Sequence, residues 1–362
     1  MYRLLVAASP GERRIALMQD GVLTDYALWR PGAPDGVGDL HVGRVIARVP
    51  AMAGSFVALA DAEAFLPDSA CPTPLTAGTH VTVRVTRAAQ SGKGPRVAAE
   101  AMAADGPVRL LAPGPSPLDR LAAAFPDAGI AVDSSAQLAA LRPAYGERIA
   151  LNRDGFGEEL ESEIAALAEP AMALPQGMRA TIVPTAALTA IDLDAGAATG
   201  ARAPKSAAQL DANLAAIPAL ARQIRLRNLS GAILIDFAGM PAKRRRALAP
   251  ALETALAADK LAPRLLGFTQ LGFAEILRPR MAPPLHELLR GPHAAGLRAL
   301  HEAISVCQAA PACLRAAPAV MAALTRDQAA LAELANATVH PLMLKSDPTL
   351  PADTWMLEDR RA

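Results

Sequence analysis

The chain has 362 residues, 52% of them hydrophobic and 20% charged, with a net charge of +1. Such a composition excludes a disordered chain and a uniformly basic one, and the length leaves room for two or three domains with a sizeable core. No run of about 18 apolar residues occurs, and Met1-Tyr2-Arg3-Leu4-Leu5-Val6 reads as a strand and not as a signal peptide. Cys71, Cys307 and Cys313 are too few and too scattered for a disulfide framework. They suit a reducing cytoplasm, and a cytoplasmic location is expected.

In chain order, Tyr2–Ala7 and Arg14–Met18 alternate in apolar character, with a turn at Gln19-Asp20-Gly21 and a further strand over Val22–Leu28. Pro31 to Gly38 is rich in Pro and Gly and closes an N-terminal β segment, 1–38. Five short strands come next: Gly43–Val49, Gly54–Leu59, Ala64–Leu66, His80–Arg87 and Arg96–Glu100. Five strands in so short a span predict a small closed barrel of OB type over 39–104. Such barrels hold single-stranded nucleic acid through aromatic side chains on one face and basic residues at the loops. Phe56 and Phe65 are the barrel's two phenylalanines, and Lys93 and Arg96 sit in or beside the loop Ser91-Gly92-Lys93-Gly94. The two rings fit a stacking platform or the barrel core equally well.

Residues 105–173 form a reduced α/β region. Asp119–Phe125, Ser135–Leu141 and Glu158–Leu167 read as helices and Gly129–Val132 as a strand, with no catalytic constellation among them. The next block, 174–284, carries two strands with an aspartate beside an apolar run. One is Ala190-Ile191-Asp192-Leu193-Asp194 and the other is Ile233-Leu234-Ile235-Asp236-Phe237. Arg179–Pro184 and Leu188–Leu193 read as a hairpin. A helical pattern over 206–228 then ends in Arg222, Arg225 and Arg227. Strand, helix, strand is the unit that returns a second strand beside the first. It would present Asp192 and Asp236 at one sheet end, where two carboxylates can share a hard cation such as Mg²⁺. The alternative is that each aspartate ends its strand and caps a turn. The pattern continues with a helix from Pro241 to about Asp259, and its cluster Lys243-Arg244-Arg245-Arg246 is either a solvated first turn or a phosphate contact. Leu265–Thr269 and Phe273–Leu277 are strands. Residues 285–362 form a small α+β region, mainly helical (His286–Arg290, Ala294–Cys307, Ala317–Leu324, Gln328–Ala335), ending in a strand at His340–Lys345 and a polar tail. The expected fold class is therefore α+β multidomain: a barrel inserted in an α/β region, then a mixed α/β subdomain and a C-terminal appendage.

These segments carry a family likeness. Thr185-Ala186-Ala187-Leu188-Thr189-Ala190-Ile191-Asp192, together with Ala195-Gly196-Ala197-Ala198-Thr199, resembles the first metal-binding strand of the ribonuclease E/G family. Asn213-Leu214, the run Ala221–Gly231 and Ile235-Asp236-Phe237 are similar to the segments next in order in that family. Val42-Gly43-Arg44-Val45, Ser55-Phe56-Val57, Ala64-Phe65-Leu66-Pro67 and Gly92-Lys93-Gly94 fall in the order of that family's barrel. Gly267–Glu275 resembles the strand pair closing its nuclease subdomain.

The resemblance implies an endoribonuclease cutting single-stranded RNA by Mg²⁺-assisted hydrolysis, with Mn²⁺ as a second option, leaving 5′-phosphate and 3′-hydroxyl ends in RNA processing or decay. Asp192 and Asp236 would hold the metal, and Phe56, Phe65 and Lys93 would grip RNA downstream of the cut. The chain also departs from the pattern. Asp194 stands where an asparagine is usual, so it joins the catalytic candidates as an added charge that either recruits a second cation or repels substrate. Gly239 stands where a second aspartate is usual. No Arg-Thr pair of the 5′-monophosphate sensor is present between Ala101 and Leu174, so no preference for a 5′-monophosphate is expected. The Cys-Pro-x-Cys zinc link is also absent, and no bound zinc is expected. Pro292 is expected to interrupt any single helix through His286, His293 and His301, so a shared metal face is not expected. A symmetric homodimer stays the default. The alternative function, favoured by Asp194 and Gly239, is an RNA-binding family member with a decayed nuclease centre.

Overall fold

The computed structural model describes residues 1–195 and 205–359. They divide into two compact units. One comprises Met1–Thr86, Gly94–Glu158 and the chain from His286 onward; the other comprises Arg87–Lys93 and Glu159–Leu285. The motif residues Gly196 to Thr199 lie outside the described residues. No helix among the described residues is long and apolar enough to cross a membrane.

In the first unit, period-two alternation builds the opening sheet. Tyr2–Ser9, Glu12–Gln19 and Val22–Trp29 run antiparallel in sequence order. Gly129–Val132 and then Ile149–Leu151 add to the Tyr2–Ser9 edge in parallel. Leu4, Val6, Ile15, Leu17, Ile130 and Val132 point to one face, where Leu118 and Leu121 of the helix Pro117–Ala124 pack on them. That helix starts where a reciprocal pair satisfies its first donors: Ser116 accepts from Asp119 N–H, and Asp119 accepts from Ser116 N–H.

The barrel closes. Gly54–Ala58 pairs on one side with Leu40–Val49 and on the other with Glu63–Pro67, and Arg96–Ala99 and His80–Arg87 complete a ring of five. Val45, Val57, Leu66, Val83 and Val97 fill it. A sixth strand, Arg109–Ala112, which the sequence pattern does not announce, lies along Leu40–Val42 outside the ring. Its four residues are all exposed, so no apolar alternation marks it in the sequence.

The C-terminal region differs from its expectation in two strands. Ala312–Ala316 is the centre of a three-stranded sheet, flanked by Leu342–Ser346 in parallel and Trp355–Asp359 antiparallel. The sequence pattern leaves residues 308–316 between two helices and residues 355–359 in a polar tail. A five-residue, alanine-rich strand buried on both faces has no alternation to betray it. The helix Gln328–Ala337 from this region is also tied to the opening sheet: Arg13 meets Glu333 at 2.6 Å, and Gly11 N–H donates to Glu333 at 2.9 Å.

The second unit is a six-stranded sheet in the order Ala171–Ala173, Arg179–Pro184, Leu188–Asp194, Gly231–Asp236, Ala274–Arg278, Arg264–Phe268. All its pairings are antiparallel except one. Leu188–Asp194 and Gly231–Asp236 run parallel, and the helix Lys205–Leu226 lies between them in sequence, as the strand–helix–strand reading requires. Ile191, Leu193, Ile233 and Ile235 point toward Ala216, Ile217, Leu220 and Ile224 of that helix. The alternate positions, Asp192, Asp194 and Asp236, are thereby placed on the other face.

The expected helix Pro241–Asp259 is interrupted. It runs as a short helix Ala242–Arg245, a tighter turn Arg246–Leu248 and a helix Ala249–Leu256. Pro250 has no N–H for the carbonyl of Arg246, which forces the break.

Candidate metal centre and nucleic-acid face

Parallel pairing sets Asp192 and Asp236 directly opposite each other as Cα partners at the ends of adjacent strands. Neighbouring strands lie about 4.8 Å apart, so two carboxylates on the same face are within reach of one ion. Asp194 shares that face two residues on and stands opposite Arg179 on the neighbouring strand, so the extra negative charge has a cation across from it.

The two facing aspartates differ in their surroundings. Asp192 is exposed, and among the described residues its carboxylate has no hydrogen-bond or ion-pair partner. Asp236 is 40% exposed and accepts a bond at 2.5 Å from Arg245 Nη1. Arg245 is only 12% exposed, because its Nε donates to Met240 O at 2.9 Å and its Nη1 also reaches Gly272 O at 3.3 Å. The sequence offers this arginine as part of a solvated or phosphate-facing cluster, whereas in the fold it turns onto a strand-end carboxylate. The signal for this is Pro241, which begins a turn that brings the chain back over the strand it has just left.

The loop after Asp236 is pinned from behind. Asn213 is buried, and its Nδ2 donates to Ala238 O at 3.0 Å and to Gln209 O at 2.7 Å. Gly239 sits at φ +66°, and a Cβ there would lie 2.4 Å from Gln209 Nε2. The place of the second aspartate usual in the resembled family is therefore filled by the Gln209 side chain.

The helix-end arginines are largely committed within this unit. Arg222 pairs with Glu163 at 2.5 Å. Arg227 is buried and donates to the carbonyls of Glu169 and Ala166, and burial lowers its pKa. Their sequence signal is positive charge, but they cap and brace the helix Gly157–Ala166.

Among the described residues no group of three or more His, Cys, Asp or Glu side chains is gathered to hold a metal. Two carboxylates completed by water and substrate oxygens is nonetheless the donor set that Mg²⁺ accepts, since it keeps several waters and rarely takes an all-protein cage. The residues present fit such an ion. His293 is engaged elsewhere, with Nε2 2.9 Å from Asp327 Oδ2.

On the barrel, Phe56 and Phe65 are direct cross-strand partners, and Arg96 is the register partner of Phe65 on the next strand. The three therefore form one row on the barrel exterior, while Val57 and Leu66 point inward. The rings meet edge to face, with centroids 5.6 Å apart and planes at 68°. Both are half-buried, not core. Phe65 lies over Gly54, where any Cβ would come within 2.4 Å of the ring. Arg96 is exposed. Lys93 is exposed at the tip of the Gln90–Lys93 bridge, in the segment that belongs with the second unit.

Residues 137–281, which contain all three aspartates and Arg245, match the model of the ribonuclease E/G family. This part of the chain is similar to members of that family. It is 36% identical to ribonuclease G of Escherichia coli over 132 residues, which is 36% of this chain and 27% of that protein. Ribonuclease E of a Nostoc strain is 36% identical over 121 residues, 33% of this chain and 18% of the relative. Ribonuclease E of Escherichia coli is 35% identical over 130 residues, 36% and 12% respectively. The chain thus spans between 12% and 27% of the length of these relatives. The barrel row of Phe56, Phe65 and Arg96 precedes the family-matched region.

Proposed function

We propose that this chain is a member of the ribonuclease E/G family and a Mg²⁺-dependent endoribonuclease of RNA processing or decay that hydrolyses single-stranded RNA to 5′-phosphate and 3′-hydroxyl ends. The observation that carries this reading is the side-by-side register of Asp192 and Asp236 inside the family-matched region. Asp192 and Asp236 hold the cation; Mn²⁺ meets the same oxygen donors. A cation held there would supply Lewis-acid polarisation of the phosphate and a lowered pKa for a bound water. Asp192, exposed and without a partner among the described residues, offers its carboxylate in full. Asp236 is held in orientation by Arg245. Asp194 places a further negative charge on the same face, balanced across the strand by Arg179. Phe56 and Phe65 give bases a surface to stack on, and Arg96 and Lys93 give phosphates a charge.

The test is cleavage of a labelled A/U-rich single-stranded RNA with Mg²⁺ and with EDTA, using wild type beside Asp192→Asn. Cuts that need metal and disappear in the variant support the proposal; cuts that persist in EDTA sink it. A second reading, RNA binding by a decayed centre, draws on one observation: Gly239, where the family usually has an aspartate, has its side-chain space filled by Gln209. RNA retained without cleavage in either metal would favour it.

A further inference from the structure

We infer that Arg245 determines which divalent cation the paired aspartates accept, by withholding one oxygen of Asp236. This role rests on the metal-dependent reading proposed above.

A carboxylate offers a metal either one oxygen or both. In Asp236, Oδ1 is taken by Arg245 Nη1 at 2.5 Å, and among the described residues Oδ2 has no partner. Charge-assisted bonds of this kind are roughly twice as strong as neutral ones. The donor is also fixed. Two backbone carbonyls, of Met240 and Gly272, hold the same guanidinium, and the side chain is 12% exposed. Gly272 makes room for it: at φ +94° it has no Cβ, and one added there would lie 3.1 Å from Arg245 Cδ and 2.9 Å from Ala242. Arg245 therefore has little freedom to swing off the carboxylate when a cation arrives.

One consequence concerns denticity. Asp236 is left as a one-oxygen ligand beside Asp192. Mg²⁺ is served well by that arrangement, since it is small, octahedral and keeps its waters. Ca²⁺ takes 6–8 oxygens and often binds a carboxylate through both oxygens, so it loses a donor it would otherwise use. A second consequence concerns charge. The guanidinium is a permanent cation next to the site and lowers the return from binding any divalent ion. That effect falls on both ions alike and cancels from their ratio, whereas the denticity effect does not. Arg245 is accordingly a specificity-determining, positioning residue, not one that touches substrate.

The experiment uses the full chain without RNA and reads Mn²⁺ binding by electron paramagnetic resonance, with Mg²⁺ and Ca²⁺ as competitors. Wild type, Arg245→Met and Asp192→Asn are compared, with thermal melts as a check on folding. Methionine keeps the length and the apolar stem while removing every donor. The Ca²⁺-to-Mg²⁺ affinity ratio is expected to rise on the order of tenfold in Arg245→Met, a difference of about 1.4 kcal/mol, because Ca²⁺ regains a ligand oxygen that Mg²⁺ does not use. An unchanged ratio, in a preparation where Asp192→Asn loses Mn²⁺, would overturn the role of Arg245 and leave the metal centre standing. Mn²⁺ binding unaffected by Asp192→Asn would overturn the centre itself, and the role of Arg245 with it. If Arg245→Met fails to fold, Arg245→Lys keeps the charge but cannot span all three acceptors, and the same ratio is expected to rise by a smaller factor. A ratio equal to wild type in that variant also counts against the assignment.

Discussion

Asp133 comes directly after the strand Gly129–Val132, and Asp236 ends the strand Gly231–Asp236; both strands have a parallel neighbour. At Asp133 the carboxylate turns back on the protein. Its Oδ2 accepts from Ala8 N–H at 2.9 Å, its Oδ1 is buried without a partner, and burial raises its pKa despite that bond and the nearby Arg14 and Arg13. At Asp236 the carboxylate stays 40% exposed, takes one bond from a side chain, and faces a second aspartate in register. The first solution ties off a strand end. The second keeps an oxygen and a neighbouring carboxylate available. An aspartate after an apolar run is thus no functional signal in itself; what it faces across the strand gap decides.

The sharpest way to break this contrast is to neutralise Asp236. Asp236→Asn is expected to reduce Mg²⁺-dependent cleavage at least about 10²–10³-fold, the scale on which removal of a group that stabilises developing charge is felt. RNA affinity should hardly change, because the proposed base-stacking rings, Phe56 and Phe65, lie on the barrel and not beside Asp236. Retention of wild-type cleavage would remove this aspartate from the mechanism. Phe56→Ala is expected to do the opposite: it weakens RNA binding roughly tenfold, within the range of about 1–3 kcal/mol for one stacked base, and leaves the barrel folded. A steep fall in melting temperature with unchanged affinity would make Phe56 a structural residue.

Much of this arrangement is legible in the chain. The strand–helix–strand unit can be read because each strand is a short apolar run beside an aspartate, Ala190–Asp194 and Ile233–Phe237, and the helical pattern between the two then points to parallel pairing. The barrel strands can be read from their Gly and Pro boundaries. Arg245 cannot. Its neighbours Lys243, Arg244 and Arg246 carry the same charge, and only the turn after Pro241 and the bare backbone of Gly272 distinguish it. Arg222 and Arg227 mislead the other way, since their charge suggests activity while their partners are a glutamate and backbone carbonyls. Ala312–Ala316 escapes notice because a strand buried on both faces has no polar side to alternate with.

Gly239→Asp tests whether the family's usual residue can be restored here. The added side chain must displace Gln209 Nε2 and adopt a left-handed backbone, which aspartate tolerates better than most residues. A loss of about 1 kcal/mol in stability is expected, with no gain in cleavage. A clear gain in cleavage would show that the second aspartate still has a role waiting for it, and would favour a partly decayed centre.

The smallest effect expected is at the contrasting strand end, and its sign depends on pH. Asp133 has a folded-state pKa above its unfolded value, so folding favours the protonated carboxyl. Ionisation therefore costs stability above the folded pKa, and that cost is absent below the unfolded pKa of about 4. In Asp133→Asn the side chain keeps an oxygen to accept from Ala8 N–H but has no charge to bury. At pH 7 the variant should melt higher than wild type by about 2 °C, a shift of the size a modest change in stability produces in a large domain. By pH 4 and below the difference should close, because wild type is then protonated as well. Cleavage should be unaffected throughout. A variant that melts lower at pH 7 would mean that Arg13 and Arg14 stabilise the carboxylate more than burial penalises it, and Asp133 would then be a held charge like Asp236, not a tied-off strand end.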